Sequence, residues 1–268
     1  MNPYLIALDL DGTLLTDEKK ISLRTKNTLA KAQEQGHIVC IATGRPYRGS
    51  VQYYEELSLN TPIVNFNGAF THHPKDERFG TYHTPLDLDI AKTILRTCEA
   101  FRVKNVMVEI IDDFYLRHYD QVLLDTFMLG RTPVEYGNLD VLLTNNPTSI
   151  LVQPRDEHLH DLRSLLQEAH AEVTEQRVWT APWSMIEIIK AGQNKAIGLE
   201  KIANYYGIPQ ERVIAFGDED NDLEMIEYAG YGIAMKNGIS ELKKIATDIT
   251  RSNEEDGVAV YLEKLLDL

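Results

Sequence analysis

Short uninterrupted apolar runs recur along the chain, and each stops abruptly at polar residues that include a glycine. Tyr4–Leu8 runs into Asp9-Leu10-Asp11-Gly12-Thr13. His37–Ala42 ends in Thr43-Gly44-Arg45-Pro46, Pro62–Phe66 in Asn67-Gly68-Ala69, and Arg212–Phe216 in Gly217-Asp218-Glu219-Asp220-Asn221-Asp222. Runs of four to six apolar residues without alternation predict strands of a parallel sheet, whose two faces are both covered. Between them, Leu23–Gln35 has helical periodicity, with Ser22 placed to cap it and Gly36 to end it. A second helix is expected from Lys195 to about Tyr206, stopped by Gly207, and a third over Gly257–Leu266; Tyr231–Met235 reads as a last core strand. Strands alternating with helices predict an α/β fold, in which chemistry collects where parallel strands end.

The texture changes between about Thr84 and Ile189. Leu86–Arg102 and Glu157–Ala169 read as helices, Asn105–Ile110 and Asp113–His118 as strands paired across Ile111-Asp112, and Gln121–Leu129 as a short helix. Ser149–Gln153, Ala171–Val178 and Ser184–Ile189 supply further strands, and just before this region Ala69–His73 and Arg78–His83 predict a β-hairpin. Such a mixture suggests an α+β unit inserted into the α/β chain. Its aromatic and histidine residues, among them Tyr115, His118, Trp179 and Trp183, show no metal-ligand spacing, and core packing is their default reading.

Candidate chemistry sits at the ends of the apolar runs. Side chains alternate along an extended segment, so Asp9 and Asp11 are expected to point the same way with Leu10 in packing. Two carboxylates that close repel unless a cation lies between them, which predicts a hard divalent ion such as Mg2+. Gly12 allows a tight turn with an open N–H. Thr43, Gly44 and Arg45, followed by a proline suited to a first helical turn, form a plausible phosphate cradle. Asn67 reads as a turn former or a substrate contact. The acids from Asp218 to Asp222 would serve as helix capping, or as the second half of a Mg2+ site built from two strands.

Composition narrows the picture. The chain has 268 residues, 43% hydrophobic and 25% charged, enough for one large or two smaller domains. A net charge of -14 with no basic block argues against nucleic acid as a partner. Cys40 and Cys98 alone make no disulfide framework or thiolate site. No apolar run approaches a membrane-spanning length and no leader precedes the first strand, so the expected location is cytoplasmic with no membrane partner.

Taken together, Asp9-Leu10-Asp11-Gly12-Thr13-Leu14, Thr43-Gly44-Arg45, Asn67-Gly68-Ala69, Lys195 in Gln193-Asn194-Lys195-Ala196, and Gly217–Asp222 resemble the motifs of the haloacid dehalogenase (HAD) superfamily, in particular its Cof-type sugar-phosphatase-like members. The tail Ser252–Ala259 is similar to this subgroup, whereas Met235-Lys236-Asn237-Gly238 departs from its usual Gly then Asn-Ala. The resemblance implies a Rossmann-like parallel-sheet core (1–83 and 190–268) with an inserted, mobile α+β cap domain (84–189). It implies Mg2+-dependent hydrolysis of a small-molecule phosphate ester, sugar phosphates first. In that reading Asp9 is the nucleophile, forming an aspartyl-phosphate, and Asp11 is the acid and base, also offering Mg2+ its main-chain carbonyl. Asp218 completes the metal ligands, and Asp222 either touches the ion or orients Lys195. Lys195, Thr43 and Gly44 stabilise the phosphoryl charge, Gly12 lets the anion approach, Asn221 touches phosphate or supports it, and Arg45 meets substrate or a surface acid. Transfer to a sugar hydroxyl, as in a phosphomutase or phosphotransferase, is the alternative; a receiver-like phospho-switch is the more distant one. No motif addresses oligomeric state.

Overall fold

Leu5, Ile6, Ala7 and Leu8 are fully buried, and the strand they form is flanked on both sides. It pairs in parallel with Ile38–Ile41 on one side and Val213–Gly217 on the other; Tyr231–Ala234 and Asp248–Ile249 extend the sheet beyond the latter, also in parallel. Leu8 is level with both Ile41 and Phe216, so the residues that follow these three strands emerge side by side at the carboxyl edge. On one face, Leu5, Ala7, Cys40, Val213 and Ala215 pack with Leu199 and Ile202 of the helix Lys195–Tyr206 and with Met225 and Ile226. Helix Leu23–Glu34 begins at Ser22, whose hydroxyl accepts from the Thr25 N–H at 3.1 Å, and is tied to the final helix, Gly257–Leu266, by Arg24 and Thr28 on Glu263.

The computed structural model describes residues 3–127, 132–170, 172–179 and 184–268. It divides into one unit of Met1–Arg45, Ser50–Tyr82 and Asn194–Leu268 and another of Pro46–Gly49 and His83–Gln193. The second unit holds a six-stranded sheet in the order Thr174–Trp179, Met185–Lys190, Ser149–Gln153, Asn105–Ile110, Asp113–Leu116, Glu135–Tyr136. Its pairings are antiparallel except the last. Helices Leu88–Ala100 and Leu159–His170 cover it through Ile94, Leu95, Leu162 and Leu166. The fold is thus a parallel α/β core with an inserted α+β cap region. Among the described residues no helix is long and apolar enough to cross a membrane.

Several expectations are corrected. The run Pro62–Phe66, expected in the parallel sheet, stands outside it. Its strand Ile63–Asn65 pairs antiparallel with Phe70–His72, which also neighbours Thr81–His83 as the expected hairpin requires, because Phe66 and Asn67 adopt left-handed backbone and reverse the chain at once. Pro46 opens a single turn at Tyr47–Gly49 before the helix Val51–Glu56, so the Thr43-Gly44-Arg45 turn does not lead straight into a helix. That short turn belongs with the inserted unit because Arg48 is buried there. Its guanidinium pairs with Glu109 and lies 5.2 Å from the centre of the Phe114 ring, and its N–H donates to Asp112 Oδ1 at 2.8 Å. The helix begun at Gln121 is described to Phe127, and Trp183 and the end of that helix lie outside the described residues.

Candidate active site

Asp9 is the first residue past the central strand. Its N–H still donates to the Phe216 carbonyl at 3.2 Å, which holds it against the neighbouring strand end, and the residue is buried. Lys195 opens its helix behind the Asn194 cap, where Asn194 Oδ1 accepts from the Ile197 N–H at 3.1 Å. Its side chain is fully buried, and Nζ donates to Asp9 Oδ1 at 2.6 Å and to Asp222 Oδ1 at 2.7 Å. Asp222 Oδ2 accepts from the N–H groups of Asp218 and Glu219 at 2.9 and 3.1 Å. Of the two roles open to Asp222, the contacts it makes are therefore those of orienting Lys195 and the loop that carries Asp218.

Asp218 is gripped from the other side by Thr13, whose hydroxyl donates to Oδ1 at 2.7 Å. Gly12 has a φ of +78°, and a β-carbon there would lie 2.1 Å from Asp218 Oδ2, so only glycine lets these two turns approach. Asp9, Asp218 and Asp222 offer one oxygen each, all within 4.8 Å of one another. Three buried carboxylates face one ammonium, and the charge shows in the proton affinities of Asp9 and Asp218. Burial raises Asp9 well above the ordinary carboxylate range, with Lys195 opposing and Asp222 and Asp218 adding to it. Burial, then the Asp222 charge, push Asp218 up to about 7. Burial acts to lower Lys195, but Asp222 and Asp9 outweigh it and raise it. Carboxylates short of positive charge, presenting only hard oxygen donors, fit a divalent cation of the Mg2+ kind.

Asp11 does not join this group. The strand ends at Leu8, so the alternation expected to align Asp9 with Asp11 no longer operates across the turn. Arg45 instead holds the Asp11 carboxylate through Nε and Nη2, both at 2.6 Å, and Lys19 adds a contact at 2.8 Å. Burial favours its neutral form, yet these two cations lower it to about 2. Thr43 is buried, and its hydroxyl accepts from the Arg45 N–H at 3.1 Å. Gly44 lies against Asn67, where a β-carbon would come within 3.1 Å of Oδ1. Asn67, buried in left-handed conformation, accepts from Asn221 Nδ2 at 3.0 Å. It is a turn former, and its amide joins the third strand end to the acidic loop. Lys19, Asn237 and Asn253 also touch this machinery without having been singled out from the sequence. Lys19 stood in a plain polar turn, and Asn237 keeps the asparagine of the family pattern between two positions, Lys236 and Gly238, that depart from it.

Side chains grouped this way suit chemistry on an anion that brings or receives negative charge, which places the chain among α/β enzymes that handle phosphoryl groups. The sequence profile of the haloacid dehalogenase-like hydrolases matches residues 6–262, and the chain belongs to that family, as a phosphatase of the HAD type. It is 54% identical over 266 residues to the 5-amino-6-(5-phospho-D-ribitylamino)uracil phosphatase YitU of Bacillus subtilis, spanning 99% of this chain and 98% of that protein. It is 32% identical over 295 residues to YwtE of the same species, which carries the same activity name, spanning 97% of each. A crystal structure of a haloacid dehalogenase-like hydrolase from Bacteroides thetaiotaomicron superposes with a TM-score of 0.85 at 28% identity, covering 98% of this chain and 100% of that one.

Proposed function

We propose that the chain is a Mg2+-dependent phosphomonoesterase for small phosphorylated metabolites, working through an aspartyl-phosphate on Asp9, with 5-amino-6-(5-phospho-D-ribitylamino)uracil as substrate. The observation that carries the reaction is the buried Lys195 ammonium held between Asp9 and Asp222. The substrate rests on the 54% identity to a phosphatase named for it. In the first half-reaction an Asp9 carboxylate oxygen attacks phosphorus, the bond from phosphorus to the ester oxygen breaks, and the departing alcohol takes a proton from Asp11. In the second, water attacks phosphorus, gives its proton to Asp11, and Asp9 is released with inorganic phosphate.

Lys195 lowers the cost of bringing a phosphoryl anion against Asp9, and the Thr43 hydroxyl and Gly44 N–H would serve its outer oxygens. Asp9, Asp218 and the Asp11 main-chain carbonyl would hold Mg2+, with Asp222 orienting Lys195 and the Asp218 loop beside it; the ion when bound neutralises the carboxylates and the charge of the transferred group. Held ionised by Arg45 and Lys19, Asp11 is ready for the base step as it stands; the acid step requires those contacts to loosen so that it carries a proton.

The test is phosphate release from 5-amino-6-(5-phospho-D-ribitylamino)uracil, sugar phosphates, nucleotides and pyridoxal phosphate, with Mg2+ or EDTA, for the wild type and Asp9→Asn. We expect the ribitylaminouracil phosphate to rank first and turnover to vanish in EDTA and in the variant. Full hydrolysis by Asp9→Asn would rule out the covalent route, and a sugar phosphate ranking far above the uracil compound would rule out the substrate.

A further inference from the structure

We propose that Asn237 is a positioning residue for the metal site: it locks the Gly12–Thr13 peptide, and through the Thr13 hydroxyl it sets the carboxylate of Asp218. This rests on the Mg2+-dependent reading above. Asn237 lies on the surface in the turn after the strand Tyr231–Ala234, yet both ends of its amide are committed to main chain. Nδ2 donates to the Gly12 carbonyl at 2.8 Å, and Oδ1 accepts from the Asn253 N–H at 3.1 Å. Asn253 in turn donates through Nδ2 to the Leu15 carbonyl at 3.0 Å and to Asp17 Oδ1 at 3.2 Å. Two asparagines from late in the chain thus clasp the turn that follows Asp9.

Gly12 has no side chain to restrain it and sits in left-handed backbone, so the orientation of its peptide depends on what its carbonyl meets. The other edge of that peptide, the Thr13 N–H, makes a long contact to the Leu10 carbonyl, at 3.4 Å. Thr13 is also the residue whose hydroxyl holds Asp218 at 2.7 Å, so a rotation of this peptide moves the donor on Asp218. The turn carrying Asn237 is itself fixed to the Asp218 main chain, because the Ile239 N–H donates to the Asp218 carbonyl at 2.8 Å. Asn237 therefore spans the two strand ends, bound at its base to one acidic loop and at its tip to the other. A solvent-facing amide with a merely structural role would not need to bridge these two loops.

The experiment is calorimetric titration of Mg2+ alone into the full-length protein as wild type, Asn237→Ala, Asn237→Leu and, as a neighbouring control, Lys236→Gln, with melting temperatures taken in EDTA. Losing one ordinary hydrogen bond from the site should weaken Mg2+ about fivefold in both Asn237 variants. Their EDTA melting temperatures should fall by no more than about 2–4 °C, as expected for exposed hydrogen bonds, the affinity of Lys236→Gln should stay at the wild-type value, and phosphate release by the Asn237 variants should recover as Mg2+ is raised. Wild-type Mg2+ affinity in both variants, or phosphate release that excess Mg2+ does not restore, overturns the inference alone. A wild type that binds no Mg2+ overturns the metal-dependent reading and the inference with it.

Discussion

Lys195→Met removes one charge, leaves a side chain of similar length, and separates the electrostatics of the site from its packing. The ammonium is fully buried and touches both Asp9 and Asp222, so its loss leaves two buried carboxylates facing each other. Breaking a buried pair from one side costs about 3–5 kcal/mol when the remaining charge has no escape. Here there is one, because burial already raises the affinity of Asp9 for a proton, and once Lys195 no longer opposes that effect a proton can replace the lysine. The stability loss should therefore fall at the lower end of that range. The chemical loss has no such relief, since a protonated Asp9 is no nucleophile. Removing one preorganised donor alone costs about 10²–10³ in rate, and neutralising the nucleophile adds to it.

The sign of the pH dependence follows from the same residues. In the variant Asp9 has lost the lysine that opposes its burial, so its folded-state pKa lies above its unfolded one and the native state binds more protons between those values. Its stability falls as pH rises through that window and is lowest above it. Urea denaturation of wild type and variant at pH 5 and pH 8, alongside hydrolysis of an aryl phosphate, measures both effects. The stability gap should be wider at pH 8, and kcat should fall at least about 10³-fold in a variant that remains folded. A folded variant within tenfold of wild-type kcat, or a gap that widens toward acid, would refute the reasoning.

Metal-free wild type should lose stability relative to Asp218→Asn as pH rises from about 4 to about 7, because Asp218 keeps its proton in the native state after the unfolded chain has lost it; excess Mg2+ should flatten the difference, and melting curves at several pH values decide it. Gly12→Ala should abolish Mg2+ binding in calorimetry while the chain still folds, since the new methyl would lie 2.1 Å from Asp218 Oδ2. Gly198→Ala sits inside a helix, where the change usually stabilises by about 1 kcal/mol; with Val64 methyls at 2.6 Å and the Thr71 hydroxyl at 2.8 Å it should instead cost about 1–3 kcal/mol in urea denaturation. Glu109→Ala strands the buried Arg48 guanidinium and should cost about 3–5 kcal/mol by the same measurement.

Much of the core was legible because its residues leave few alternatives. Ser22 and Gly36 bracket the first helix as their types suggest, and the final helix is Gly257–Leu266 as read from periodicity. Three of the four uninterrupted apolar runs became buried parallel strands, the fourth pairing antiparallel as Ile63–Asn65 in a separate sheet, and the register that levels Leu8 with Ile41 and Phe216 follows once the three are parallel neighbours. Legibility failed where the backbone left its period. Asp11 lies two residues past Asp9, but the turn between them sends its carboxylate to Arg45 and Lys19. Arg48 reads as an ordinary surface cation in a polar turn, and nothing near it announces that Glu109 will bury it.

The unequal visibility of site residues has a physical cause. A carboxylate or ammonium taken out of water must be compensated, so charges that share a buried site have to arrive from strand ends and helix starts that the chain pattern already marks. Asp9, Asp218 and Asp222 could be picked out for that reason, and Lys195, at a helix start, through the family resemblance. An amide is under no such obligation, because any donor or acceptor, including water, satisfies it. Asn67 with Asn221, Asn237 with Gly12 and Asn253 with Leu15 therefore took their meaning from partners far away in the sequence, and Asn237 sat inside a motif whose flanking residues, Lys236 and Gly238, depart from the family pattern. The consequence is that the residues assigning charge at this site are readable one at a time, while those holding the charges in register are readable only as pairs. Substitutions in the first group should change whether the reaction occurs, and substitutions in the second how tightly the site holds its ion.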